Sequence, residues 1–159
     1  MDYLTAQYPG LAALPRVKCS NYIGDAVDLA ALEGMEEVLL VGHIGKLVKL
    51  AGGVMNTHSR MADCRQELFC AHAAMCVATG ETCRELMEQV SCDGCLAVLE
   101  KAGLRETVME SLLARIQQHL DRRAAGALQI GALCFSNTYG LLGMTESARL
   151  LLDQWRESR

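Results

Sequence analysis

Aromatic side chains are scarce in this sequence, making up 4% of its 159 residues. The core must therefore be aliphatic, built from Leu, Val, Ala, Met and Cys, and the length suits one domain with a sizeable interior. Positive charge is not concentrated either. Lys and Arg number 15 against 19 Asp and Glu, a net charge of -4. The only local basic clusters are Arg122-Arg123 and Lys46/Lys49/Arg60. Nucleic acid, which wants a concentrated basic surface, is set aside as a partner. No apolar run approaches the length that spans a bilayer, so no membrane partner is expected. The opening MDYLTAQYPG has neither the basic region nor the apolar stretch of a secretory signal. A reducing cytoplasmic setting without disulfides is the expectation. The 8 cysteines mostly fall inside apolar helical patterns, where cysteine acts as a small hydrophobe.

What is present alternates between helical and strand patterns. Residues 2–8 suit a short helix stopped by Pro9-Gly10, and RVKC (16–19) a short strand. SNYIGDAVDLAALEG (20–34) reads as a helix capped by Ser20 or Asn21 and closed by Gly34. EEVLLVG (36–42) is a continuous apolar strand, the pattern of a parallel sheet covered on both faces. Residues 44–50 turn helical until Gly52-Gly53. A long helix is predicted over 60–78, with Leu68, Ala71, Met75 and Ala78 inward and Gly80 as its stop. Shorter helices follow at 82–89 and 92–102. Val108, Leu112, Ile116 and Leu120 mark an amphipathic helix over 105–124. LQIGALCF (128–135) is a third strand, and a helix capped by Thr145 closes the chain. This order predicts a single α/β domain over 1–159: an open, mainly parallel sheet flanked by helices, Rossmann-like, with an incomplete set of strands.

Ligands of open α/β sheets bind beyond the carboxyl ends of the strands. Those ends read CSNYIG (19–24), GHIGK (42–46) and FSNTYG (135–140). Ser20, Asn21, Ser136, Asn137 and Thr138 offer small polar groups, and Gly42 and Gly45 allow close backbone approach. Each Ser-Asn pair also suits a plain helix cap. GHIGK lacks the four-residue spacer and the Ser or Thr of a phosphate-binding loop, and GxGxxG is absent. His43 and His58 lie in polar loops and suit either a general base or a structural hydrogen bond. His72 reads as packed or half-exposed, and His119 as solvated. Lys46 and Lys49 suit ligand carboxylates or a solvated helix face. Cys92 and Cys95 have CxxC spacing but no second ligand pair, so Ser91-capped helix packing is favoured over zinc, and no metal site is assigned. These residues alone dictate no reaction class.

The combination of motifs is more specific than its parts. Residues 17–65, above all GHIGKLVKLAGGVMNTHSRMAD (42–63), resemble the cobalamin-biosynthesis CbiD family, the cobalt-precorrin-5B C-1 methyltransferases. ALCFSNTYGLLGMTESA (132–148) resembles the family's closing segment. The resemblance runs from about residue 13 to the end and is weakest over 80–126. It implies methyl transfer from S-adenosyl-L-methionine to carbon 1 of a cobalt-bound tetrapyrrole, the cobalt arriving with the substrate. The substrate carries many carboxylates, which Lys46, Lys49, Arg60 and helix N-termini could hold. With the strand-end reading, the candidates are His58 and His43 for catalysis and Ser20, Asn21, Gly42, Gly45, Lys46, Asn56, Thr57, Arg60, Ser136, Asn137 and Thr138 for binding. Family members are longer, with an N-terminal α+β portion and a further strand and glycine-rich turn before this segment. The resemblance therefore implies a C-terminal part that is inactive or nearly so alone, partnered by the missing N-terminal portion. The alternatives are a non-catalytic binding module and a nucleotide enzyme using GHIGK.

Overall fold

The computed structural model describes residues 6, 8 and 14–157. In chain order the elements are α1 (Ile23–Leu32), β1 (Glu37–His43), a single helical turn α2 (Ile44–Leu47) running on as a 3-10 turn (Val48–Gly52), α3 (Arg65–Met75), α4 (Gly80–Met87), α5 (Cys92–Lys101), α6 (Arg105–Ala124), β2 (Gln129–Ser136), β3 (Gly140–Met144) and α7 (Glu146–Glu157). The short helix expected over 2–8 lies outside the described residues apart from positions 6 and 8.

The three strands are ordered β1-β2-β3. β1 and β2 are parallel, paired from Glu37 opposite Gln129 to His43 opposite Phe135. β2 and β3 are antiparallel, with an irregularity between Cys134 and Phe135. The fold is thus α/β, with an open, mixed sheet of one parallel and one antiparallel pairing. The expected strand over 16–19 does not form among the described residues. Val17 is 87% exposed, so that segment has little to bury and no driving force to pair. The third strand is instead GLLGM, disguised in the sequence by its glycines. Gly140 and Gly143 both have positive φ, 70° and 149°, which lets the chain turn back tightly on β2. β2 is the fully covered strand, whereas the apolar run of β1 is only half-buried at one edge of the sheet.

The amphipathic pattern over 105–124 is realised as α6, with Val108, Leu112, Ile116 and Leu120 wholly buried against the sheet and the helical layer. α3 departs from the pattern. It begins at Arg65, and residues 57–64 form a loop. Its inward residues are Phe69, His72 and Ala73, one step away from the expected face, and Met75 is exposed. Phe69, one of two phenylalanines, sets that rotation because its ring needs the interior. Gly80 does not stop α3. Val77 does so with φ of 66°, and Gly80 opens α4 behind Thr79, whose Oγ1 accepts the Thr82 amide at 3.1 Å. Ser91 caps α5 as expected, accepting the Gly94 amide at 3.1 Å. Neither Ser20 nor Asn21 caps α1 through its side chain. The cap position is Tyr22, which makes no such bond.

Of two helical histidines, His72 is packed, one of its two expected states, whereas His119 is more constrained than the solvated position expected. His72 is buried, with Nδ1 2.7 Å from Ser111 Oγ on α6. His119 is half-buried over Gly53, where an added Cβ would come within 3.1 Å of its ring. Burial holds both rings below the ordinary histidine pKa, with Arg115 acting in the same direction on each. The unfolded chain then binds these protons more readily than the folded one. Their contribution to stability is complete above the ordinary histidine range and is lost as pH falls through it. Urea denaturation should therefore show stability falling between about pH 7 and pH 5, with a shallower fall for His72→Asn. An unchanged slope would place the His72 proton equilibrium outside folding. A second expectation concerns Gly131 on β2, where an added Cβ would sit 2.3 Å from the Ala148 backbone nitrogen of α7. Gly131→Ala should cost about 3 kcal/mol by calorimetry, because backbone must move to admit the methyl. An unchanged melting temperature would mean that α7 does not seat there.

Candidate functional site

Parallel pairing of β1 with β2 puts His43 beside Phe135, their rings edge to face at 5.7 Å between centroids. The carboxyl ends of two strands far apart in sequence therefore share one edge of the sheet. Beyond the end of β1 lies a cavity of about 270 Å³, lined by Asn21, Gly45, Lys46, Lys49, Thr57, His58, Ser59 and Arg65.

Two loops build its walls. Residues 21–24 run against 55–57. The Thr57 amide donates to the Asn21 carbonyl at 3.0 Å, the Gly24 amide to the Met55 carbonyl at 3.1 Å, and Tyr22 bridges Asn56. Thr57 is buried, and its hydroxyl donates to Asn21 Oδ1 at 3.3 Å. The floor is α2 and its 3-10 continuation. There Leu47, Val48, Leu50 and Ala51 are buried, and Lys49 is buried among them at 2% exposure. Its ammonium donates to the carbonyls of Thr57 at 3.0 Å and Ala62 at 2.9 Å, closing the loop that carries His58. Lys46 is half-exposed and donates to the Ser20 carbonyl at 3.2 Å.

The opening of GHIGK is a packed turn and not a phosphate cradle. A Cβ on Gly42 would lie 2.9 Å from Leu47, so this glycine lets α2 fold against the strand. The Gly45 amide donates to His43 Nδ1 at 3.1 Å and is not free for an anion. Accepting that bond leaves the hydrogen of a neutral His43 ring on Nε2. In the same way His58 Nδ1 accepts the Arg60 amide at 3.1 Å, while the His58 amide donates to Asn56 Oδ1 at 3.2 Å. His58 and Arg60 are both exposed, and only His58 lines the cavity.

The end of β2 makes a separate polar group. Ser136 is buried, and its Oγ accepts the Thr138 amide at 3.0 Å and the Tyr139 amide at 3.2 Å, tightening the hairpin to β3. The Ser136 hydroxyl donates to Asp93 Oδ1 at 2.8 Å, and the Thr138 hydroxyl donates to Asp93 Oδ2 at 2.6 Å. The Thr138 hydrogen bond, together with that from Ser136, holds the Asp93 carboxyl below the ordinary carboxylate range. Asn137 is exposed on the turn. The structure thus brings Asn21, Gly45, Lys46, Thr57 and His58 to one cavity. Ser20 and Asn56 stand behind its walls. Ser136 and Thr138 gather around Asp93, and His43 lies between the two groups.

Two cavity residues were not anticipated from the sequence, Ser59 and Arg65, whereas Lys49 was considered with Lys46 for ligand carboxylates. Arg65 carried no signal, because its segment reads as mid-helix. Its guanidinium grips Asp63 at 2.7 and 3.0 Å, and that hydrogen bond lowers the Asp63 pKa. Asp93 was hidden within the helix start SCDGC. The neighbouring thiols do not supply a nucleophile. Burial pushes Cys92 up to about 11 and Cys95 up to about 12, so both stay protonated at neutral pH. All eight cysteines are free thiols. Among the described residues no group of three or more His, Cys, Asp or Glu is arranged to hold a metal ion, and no helix is long and apolar enough to cross a membrane.

The family model described as CbiD, C-terminal domain, matches residues 56–146. The chain is 45% identical over 121 residues to the cobalt-precorrin-5B C(1)-methyltransferase of Ruminiclostridium cellulolyticum, covering 76% of this chain and 32% of that protein. It is 32% identical over 137 residues to the protein of the same name from Alkaliphilus metalliredigens, covering 86% and 36%. A third relative of that name, from Moorella thermoacetica, is 32% identical over 150 residues, covering 94% and 41%. The chain spans about a third of the length of these curated relatives. No solved structure matches. With the family model covering more than half of the chain and a set of relatives that all bear one name, the chain belongs to the CbiD family and carries that family's C-terminal domain.

Proposed function

We propose that this chain is the substrate-holding part of a cobalt-precorrin-5B C(1)-methyltransferase, which moves a methyl group from S-adenosyl-L-methionine to ring carbon 1 of a cobalt-bound tetrapyrrole in the cytoplasm. The observation that carries the reading is the sign of the cavity. In a chain of net charge -4, a hollow at the strand ends is lined by Lys46, Lys49 and Arg65 and by no carboxylate. Such a lining selects anionic groups, and a tetrapyrrole of this pathway carries carboxylates around its rim. At about 270 Å³ the cavity is at or below the small end of ligand sites, so it suits one carboxylate arm with the macrocycle lying across its mouth.

S-adenosyl-L-methionine supplies a methyl already activated on a sulfonium sulfur, so the protein's task is alignment. The cationic cavity fits that donor poorly. Asp93 fits it better: its carboxylate is ionised, oriented by Ser136 and Thr138, and set on the same edge of the sheet. His58 would hold or relay a proton at Nε2, its Nδ1 being committed to the Arg60 amide. A non-catalytic binding module is the second reading, favoured by the chain's covering only about a third of its relatives. A nucleotide enzyme is disfavoured by the commitment of the Gly45 amide to His43.

Turnover of cobalt-precorrin-5B should be undetectable with the 159 residues alone and appear when they are joined to the N-terminal portion of the Ruminiclostridium cellulolyticum relative. Turnover by the chain alone would refute the division of the site. In the joined protein, His58→Ala should lower kcat about 100-fold, the usual scale for a lost proton-transfer group. As His58 is exposed, stability should change by no more than about 0.5 kcal/mol. A collapsed melting temperature with kcat retained would make it structural. Calorimetric titration of the joined protein should show binding of S-adenosylhomocysteine and not of ATP. ATP binding alone would favour the nucleotide reading, and silence from both would favour the binding module.

A further inference from the structure

Among the described residues Lys49 is the only lysine, arginine, aspartate or glutamate in the buried set. A buried ammonium is unfavourable unless its charge and all its donors are met. It has three N–H donors. Two go to the Thr57 and Ala62 carbonyls. The nearest carboxylate oxygen, Asp63 Oδ1, is 4.0 Å away, beyond hydrogen-bond reach, and both Asp63 oxygens already accept from Arg65. The two carbonyls are neutral and the Asp63 carboxylate is shared with Arg65, so the charge is only partly met and one N–H has no acceptor among the described residues. The residue also lines the cavity, whose other charged walls are cationic.

We propose that Lys49 is the specificity-determining group of the cavity: its third N–H takes an oxygen of an ionised substrate carboxylate, and the cavity thereby rejects the corresponding ester. This rests on the reading of the cavity as a carboxylate subsite. Lys46 and Arg65 add attraction from more exposed positions, but a desolvated cation discriminates ion from neutral far more sharply than a solvated one. The same ammonium holds both flanks of the turn that carries His58, so filling its third donor also fixes that turn. Arrival of the carboxylate and placement of His58 are then one event.

The test uses the chain labelled with 15N-lysine and uroporphyrin as a metal-free polycarboxylate tetrapyrrole, with its methyl ester as the neutral control. The Lys49 ammonium signal should move on addition of uroporphyrin and stay still with the ester. Lys49→Met should weaken uroporphyrin binding at least about 30-fold, the scale for removing a buried, hydrogen-bonded charge partner. Lys46→Met should weaken it by about 5-fold or less, as for an exposed pair. Uroporphyrin binding that leaves the Lys49 signal unmoved would overturn the assignment while sparing the subsite. Equal binding of acid and ester would overturn the assignment too. Absence of any binding would sink the subsite reading beneath it. If Lys49→Met does not fold, the ammonium signal of the unsubstituted chain still decides.

Discussion

The parallel register of β1 against β2 is the constraint on which the rest of the molecule depends. It sets His43 opposite Phe135 and so places the loop after β1 and the hairpin after β2 on one edge. Backbone hydrogen bonds fix this register, and the covered β2 makes a one-residue slip costly, because every side chain would change face. Gly131 adds a second lock, since α7 passes so close to β2 that no side chain fits there. The site inherits its geometry from this pairing and not from any single loop.

Charge is organised on top of that frame. The chain is acidic overall, yet acidic groups near the site are already engaged: Asp63 by Arg65, and Asp93 by Ser136 and Thr138. The cations keep more capacity. Lys46 bonds a single carbonyl and Lys49 bonds two. The result is one edge with two signs, a cationic hollow beyond β1 and an ionised carboxylate beyond β2, with the His43 ring between them. The proposed function, which joins a polycarboxylate acceptor to a sulfonium donor, would use that division. The protonated Cys92 and Cys95 fit a transfer that proceeds by alignment without a thiolate intermediate.

Much of this was legible in the residues, for physical reasons that differ by element. α6 could be read because four apolar residues at a spacing of four leave one face for the core. β2 and the Ser91 cap of α5 could be read because a strand run and a cap have local signatures. α3 was misplaced at its start and its face because the ring of Phe69, and not helical periodicity, chose the orientation. β3 was missed because glycine usually breaks strands, and here it makes the hairpin. That polar groups and a cavity gather beyond the strand ends followed from topology. Its inner workings did not, since the burial of Lys49, the Asp63–Arg65 pair and the Asp93 hydroxyl contacts depend on which loops meet in space. The Ser-Asn pairs illustrate the limit: one helps to wall the cavity and the other anchors a hairpin, although the letters are the same.

A crystal structure of the chain grown with a polycarboxylate tetrapyrrole tests the central claim most directly. The account predicts a carboxylate arm seated between Lys46 and Lys49, with the macrocycle across the mouth beside His58. A tetrapyrrole lying at the opposite edge of the sheet, near Glu37 and Gln129, would contradict it.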